Sequence, residues 1–394
     1  MADFSRSVRG LQANEIQVIT SLSPKSIPLY PEIFEGLDSL SAVYVYDSRF
    51  CCLAPTSVHC IEERPPHPLF TCRKTFLQNF TIKVFIWILG ISALLGNTFV
   101  LVVRLRSTPV TRVAKIQAMI ITNLALSDLL MGLYMVLLAV MDIYIGESYF
   151  WKGRAEEWRA STTCQIAGFI SVLSSETSVF LLVLLSLDRF ICVVFPFSNW
   201  RLGVLSTRVA IAVIWVGSGL LSAGGILLNN LNPDAYGLSD VCVGLPFIRK
   251  STDLYKETDT RTSNQYGIPY FTTIAGSTES TWKFSIVLFL GINLCGFVVI
   301  FLSYIAIFIK ARFVRAKVGQ TNQSANEIKM ALKMLLIVGT DLLCWMPIII
   351  LGILVQTVGV NVTPDIYAWL VVFVLPINSS LNPYLYTIIN MVSK

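Results

Sequence analysis
The sequence predicts an all-α integral membrane protein built as a seven-transmembrane helix bundle. Three observations carry this expectation. Hydrophobic residues make up 54% of the chain and charged residues 14%, with a mean hydropathy of +0.67, far too apolar for a soluble domain. Seven apolar runs, each near or above the roughly 20 residues that a helical span needs, alternate with polar links. The basic residues also gather in alternate links, as they do when they set orientation in a membrane.

Residues 1–78 are polar and mixed in charge and read as an extracellular segment. They lack the basic-then-apolar start of a secretory signal peptide, so either the first span acts as the signal or the chain is a fragment of a longer one. Within them GLQANEIQVI from Gly10 and GLDSLSAVYV from Gly36 recur 26 residues apart, a period in the leucine-rich-repeat range. Two units are too few to bury a continuous core, which reads as a short leucine-rich-repeat remnant. SRFCCLAPTSVHC, over 48–60, would staple its open end. Cys51, Cys52, Cys60 and Cys72 suit an oxidising exterior, and sequence does not fix their pairing.

The seven spans are expected near 84–103, 116–144, 164–194, 209–228, 284–309, 331–355 and 366–389. All must be helical, because lipid offers backbone groups no partner. The link after the first span carries Arg104, Arg106, Arg112 and Lys115. The link after the third carries Arg201 and Arg208. The link after the fifth carries Lys310, Arg312, Arg315, Lys317 and Lys329 against Glu327. These links are cytoplasmic by the positive-inside rule, which puts the amino terminus outside and a short tail, 391–394, inside. The bundle then occupies 79–390. The acceptor sequons at Asn79 and Asn361 fall on the outer side. The net charge of +6 is explained by these links, so no nucleic-acid partner is expected.

Polar residues that lipid has been made to accept mark function. Span 1 carries Gly96-Asn97, span 2 NLALSD ending at Asp128, span 3 Ser178 and Asp188-Arg189-Phe190, span 4 Trp215, and span 5 Tyr304. Span 6 carries Asp341 and Cys344-Trp345-Met346-Pro347, and span 7 Asn378, Ser379 and Asn382-Pro383-Tyr384-Leu385-Tyr386. Asn97, Asp128, Ser178, Asn378, Ser379 and Asn382 supply one formal charge with several oxygens and amides. That set suits a hydrated cation such as sodium, bound at Asp128, and equally a water-filled polar network that glues helices. No other cofactor is expected. Pro347 and Pro383 each remove a backbone hydrogen bond from a helix interior and provide kink points.

These motifs, over 80–390, resemble the signature set of the rhodopsin-like G-protein-coupled receptors. The segments LSSETSVFLLVLLSLDRFICVVFPF, FLGINLCGFVVIFLSY, GTDLLCWMPI and WLVVFVLPINSSLNPYLYT are similar to the leucine-rich-repeat-containing hormone receptors and, among them, the relaxin-family peptide receptors. Glu176, Asp341 and a fifth span without proline fit that branch. The resemblance implies a plasma-membrane receptor whose partners are a peptide or protein hormone outside, a heterotrimeric G protein inside and membrane lipid around, with signalling through cyclic AMP. The chain departs from the family's pattern in carrying about two repeats, no cysteine-rich module and a truncated tail.

Within this frame Cys164 and Cys242 are expected to be joined, tethering the long link 229–281 to the outer end of span 3. Arg189 is expected to pair with Glu327, at the family position for such a lock. Asp341 lies four residues before Trp345, on the same helix face and one turn nearer the cytoplasm, and is expected to bond Asn382. The coupling and activation set is therefore Asp188, Arg189, Tyr304, Glu327, Asp341, Trp345, Pro347, Asn382, Pro383 and Tyr386.

Other classes fit less well. The seventh span has no lysine for a retinal Schiff base, the spans lack the internal symmetry of a transporter, and His59 and His67 offer no catalytic cluster, so no enzyme is expected. A non-signalling decoy or adhesion-type membrane protein with a receptor-like bundle is the second class.

Overall fold
The computed structural model describes residues 79–107, 109–146, 160–231, 283–317, 322–360 and 364–391, strands at 15–18, 42–45 and 59–62, and short pieces at 34, 77, 157–158, 241–243 and 362. Helices α1 (Phe80–Arg106), α2 (Arg112–Ile145), α3 (Thr162–Val194) and α4 (Val204–Leu231) come first. Helix α5 (Asn293–Lys317) is entered through a π segment, Ile286–Ile292, the two together forming helix 5, and α6 covers Asn322–Thr357. The last rod, α7, runs from Pro364–Trp369 through a π segment, Leu370–Val374, into Leu375–Met391. Six of these helices are long and apolar enough to span a bilayer, and Leu370–Leu385 is a shorter apolar stretch within the seventh.

Helix starts follow local chemistry. The side chains of Asn79, Thr111 and Ser161 accept the backbone N–H of Thr81, Ala114 and Cys164, at 2.8, 3.2 and 3.1 Å, and so satisfy donors that the first turn leaves open. Helix α6 begins well before the apolar run, so Glu327 and Lys329 lie on a helical extension toward the cytoplasm. Large apolar residues such as Leu95, Phe99, Val213 and Leu220 face outward, where lipid replaces water. Charged and amide side chains turn inward: Asn97, Asp128, Glu176, Asp188, Arg189, Asn293, Asp341 and Asn382 are all buried.

Helix α3 is the centre, packing against α2, α4, α5 and α6, while α7 packs against α1, α2 and α6. Helices α1 and α7 approach closely at Gly96, where a Cβ would stand 2.8 Å from the ring of Pro383. Pro383, a predicted site residue, thus sits at a contact that only a glycine on α1 permits.

The outer segment contains three strands, β1 (Glu15–Val18), β2 (Ala42–Val45) and β3 (His59–Glu62), in one parallel sheet of that order. The first two fall in the two sequence copies, in a register that sets Glu15 opposite Ala42, one residue beyond the 26-residue offset of the copies. The third lies where a cysteine staple was expected, and the pairing of Cys51, Cys52, Cys60 and Cys72 lies outside the described residues.

Cys164 is joined to Cys242 across 78 positions of sequence, as expected. Val241, Cys242 and Val243 are all buried, and Cys242 adopts φ 59°, a left-handed conformation that is unfavourable for a residue bearing a Cβ. The disulfide and a hydrogen bond from Tyr134 Oη on α2 to Val241 O at 2.7 Å hold it there. Closing a loop of this length stabilises by roughly 4 kcal/mol in the chain-entropy treatment. A peptide map should find these two cysteines linked, and Cys164→Ser should cut surface expression. Two free thiols in the map would refute the bond.

Candidate functional site
The polar residues of the spans sort into three clusters along the bundle. The first centres on Asp128 of α2, which is fully buried. Its Oδ2 accepts Asn382 Nδ2 from α7 at 2.7 Å, and its Oδ1 accepts Ser178 Oγ from α3 at 3.4 Å. Ser178 also shares a hydrogen bond with Ser127 at 2.8 Å, and Ser174 donates to Ser127 O at 2.6 Å. Asn97 joins from α1 by donating to Ala93 O and to the backbone carbonyl of Ser379, at 2.9 and 3.0 Å. One carboxylate thereby gathers side chains from α2, α3 and α7, with α1 attached through the α7 backbone. The side-chain oxygens of Asn97 and Asn382 are buried and lack a hydrogen-bond partner among the described residues.

The second cluster corrects an expectation. Asp341 on α6 is buried and bonds Asn378, whose Nδ2 donates to Asp341 Oδ1, not Asn382. Thr340 Oγ1 adds a donor to Asn378 Oδ1 at 3.4 Å. The predicted face of α6 is right and the level is off by one turn. Asn378 and Asn382 are four apart and stack on one face of α7, where the lower amide is already committed to Asp128. The expected polar set therefore splits in two, with Asn378 belonging to α6. Asp341 Oδ2 has no hydrogen-bond partner among the described residues.

One turn outward from Asp341, Trp345 is 5% exposed and lies between two rings of helix 5. Phe289 stacks on it at 6.1 Å between centroids, and Phe297 meets it at 6.2 Å in a tilted arrangement. Pro347 sits inside α6 two residues on, and Pro383 inside α7.

The third cluster lies at the cytoplasmic end of α3. Arg189 is wholly buried and pairs with its neighbour Asp188 through both Nε and Nη2. Removing a buried arginine from water is costly unless an anion accompanies it, and the adjacent carboxylate supplies that anion from the same helix. Tyr304 of α5 is buried as well, with no hydrogen-bond partner for its hydroxyl among the described residues. The side chains of Glu327 and Tyr386 lie outside the described residues, as does Asn361. Asn79 is exposed and caps α1 with its side-chain oxygen.

Contacts that spacing alone did not reveal lie nearby. Asn293 donates to Glu176 across the α3–α5 interface at 3.1 Å. Trp215 of α4 donates to Asn123 of α2 at 3.0 Å. At the outer end, Asp142 accepts the N–H of Leu77 at 3.0 Å and pairs with Lys83 at 3.2 Å. The available signal was charge in an apolar run, which both Glu176 and Asp142 carry; their partners came from other helices and could not be assigned by periodicity.

The helices thus enclose buried charge at the cytoplasmic end and linked amides and carboxylates at the centre, the arrangement of a seven-helix membrane receptor. The chain matches the 7 transmembrane receptor (rhodopsin family) over residues 96–386 and belongs to that family. It is 37% identical over 357 residues to G-protein coupled receptor GRL101 of Lymnaea stagnalis, which covers 91% of this chain. It is 31% identical over 356 residues to Relaxin receptor 1 of Homo sapiens and 28% identical over 310 residues to the Thyrotropin receptor of Felis catus, covering 89% and 78% of the chain. The relaxin and thyrotropin receptors are of the branch that the span motifs resemble. The chain spans 29%, 42% and 35% of the lengths of these three relatives, less than half of each. Squid rhodopsin superposes with a TM-score of 0.55 at 19% identity, over 78% of this chain and 81% of its own, which shows the shared fold. The protein is a multi-pass protein of the plasma membrane.

Proposed function
We propose that this chain is the membrane-spanning part of a receptor for an extracellular peptide or protein hormone of the relaxin-like kind, and that it passes binding to a heterotrimeric G protein and on to cyclic AMP. The observation that carries the reading is the Asp341–Asn378 bond between α6 and α7, the two helices that contain Pro347 and Pro383. A hydrogen-bonded pair between two hinged rods gives the two-state element that signalling requires. The Asp188–Arg189 pair supports the reading at the cytoplasmic end: an arginine held by its own helix can exchange that partner for an incoming one. The similarity to relaxin and thyrotropin receptors supplies the ligand class, and the parallel strands at 15–18, 42–45 and 59–62 support a leucine-rich-repeat remnant as the outer domain over 1–78. In this reading Glu327 pairs with Arg189 in the resting state alongside Asp188, and Asn79 and Asn361 carry glycans.

Losing a hydrogen bond to a carboxylate costs roughly 1.5–3 kcal/mol, so removing one made in the inactive state alone raises the active fraction about ten- to a hundredfold. Asp341→Ala and Asn378→Ala should both raise basal cyclic AMP per surface receptor. Asp341→Asn, which keeps an acceptor for Asn378, should do so less, and Arg189→Ala should silence all of them. Wild-type basal output from both alanine variants, with agonist response intact, would sink the restraint.

The Asp128 cluster is, in the same proposal, a sodium site. Its composition fits a small hard cation: one carboxylate, the Ser178 hydroxyl and the unfilled side-chain oxygens of Asn97 and Asn382, all buried. The ion would supply positive charge to the Asp128 carboxylate and hold α2, α3 and α7 together. A ligand at 100 times its Kd stabilises a fold by about 2.7 kcal/mol. Sodium chloride should thus raise the melting temperature of the purified protein above that in choline chloride of equal ionic strength, and Asp128→Asn should abolish the difference. An equal response of the two proteins to sodium would exclude the site.

A further inference from the structure
We infer that Glu176 and Asn293 are positioning residues for Trp345: their bond across the α3–α5 interface fixes the rotation of helix 5 and so holds the two rings that clasp the indole. Glu176 and Asn293 are both 0% exposed, and Asn293 Nδ2 donates to Glu176 Oε1 at 3.1 Å. Phe289, Asn293 and Phe297 follow one another at intervals of four and are all buried, so they share the inward face of helix 5. The outer two meet Trp345 on α6, and the middle one meets Glu176 on α3. Asn293 thus stands between the two rings, tied to the central helix of the bundle.

The backbone adds to this. The N–H of Asn293 reaches back five residues to Leu288 O, the last bond of the π segment, so its side chain stands at the joint between two helical registers. A π turn in a helix commonly marks a functional position. The i→i−5 register sets where the Asn293 side chain points, and the Glu176 carboxylate receives it there. Helices 3 and 5 are also close here: a Cβ on Gly296 would stand 3.3 and 3.4 Å from Val179 and Val183 of α3. At this separation the short Asn293 side chain reaches the carboxylate.

The remaining oxygens of the pair, Glu176 Oε2 and Asn293 Oδ1, are buried without a hydrogen-bond partner among the described residues. Two acceptors left side by side make the pair responsive to substitution. In Glu176→Gln the amide keeps an acceptor for Asn293 Nδ2 and brings an N–H for Asn293 Oδ1, so positioning is retained. A single leucine at either position orphans its partner. Leucine at both removes the need for a partner and the positioning together.

The test uses the full chain in nanodiscs with 5-fluorotryptophan, the Trp345 resonance being assigned by its loss in Trp345→Phe. Wild type and Glu176→Gln should show the same dominant Trp345 resonance. In Glu176→Leu and Asn293→Leu the ratio of a second environment to the first should rise about tenfold or more, as loss of a hydrogen bond to a carboxylate implies, with a lower melting temperature. The double leucine variant should recover its melting temperature and keep the shifted resonance. A wild-type Trp345 resonance in the double variant, or a shifted one in Glu176→Gln, overturns the inference. Signalling rests on the receptor reading above: if even Asp341→Ala gives no basal output, that reading fails while the resonance still decides this one.

Discussion
A carboxylate inside a membrane must find its hydrogen-bond donors within the protein, because lipid supplies none. In this bundle the donors come from other helices. Asp128 draws on α3 and α7, Asp341 on α7, Glu176 on helix 5, and Asp142 on the chain ahead of α1 and on Lys83. Asp188 differs in being served from its own helix, by the residue next to it. Helix association in lipid lacks the hydrophobic drive available in water, so such bonds and close contacts at small residues must set the packing. The Gly96–Pro383 contact and the approach of Gly296 to Val179 and Val183 are of the second kind. Each acid therefore acts as a fixed point that decides which faces of which helices meet.

That dependence explains what could be read from the sequence. Spans are legible because a bilayer demands about 20 apolar residues, and inward faces are legible because acids and amides mark them. The seventh rod shows the limit. Asn378, Ser379, Ser380 and Asn382 interrupt its apolar stretch, Leu370–Leu385, yet the helix runs on through them to Met391. Which acid meets which amide is not legible, because a helix repeats its face every three to four residues and the axial offset between two rods leaves no trace in either sequence. Asp341 was directed to the correct face of α7 and lands on Asn378 because Asn382 is taken.

The π segments mark a second boundary. Ile286–Ile292 and Leu370–Val374 are runs of apolar residues with no proline, and no composition rule separates them from α-helix. They become intelligible through their neighbours. The first ends at Asn293, whose side chain is bonded to Glu176, and the second lies where Phe373 meets Phe85 and Trp369 in edge-to-face contacts at 5.2 and 5.9 Å. In both places a tertiary contact selects a rotation that a regular helix would miss, and the extra residue in the turn absorbs the difference.

The outer end is organised by the same rule with different groups. Asp142 accepts the backbone N–H of Leu77, itself buried, and pairs with Lys83 one turn into α1, so the chain arriving from the outer segment is fastened to α2 before it enters the bilayer. Tyr134, two turns deeper on α2, fastens Val241, and the disulfide fastens Cys242 to α3. Both extracellular approaches to the bundle therefore converge on the outer half of α2. Below them on the same helix Asp128 is bonded to α3 and α7. A displacement of either outer segment strains bonds to α2 first. It reaches the hinged helices through Asn382, whose partner Asp128 lies on α2, and through Asn378 one turn above it, whose partner Asp341 lies on α6. Helix α2 is thereby a member through which an outer event can reach Pro383 and Pro347 by bonded contacts.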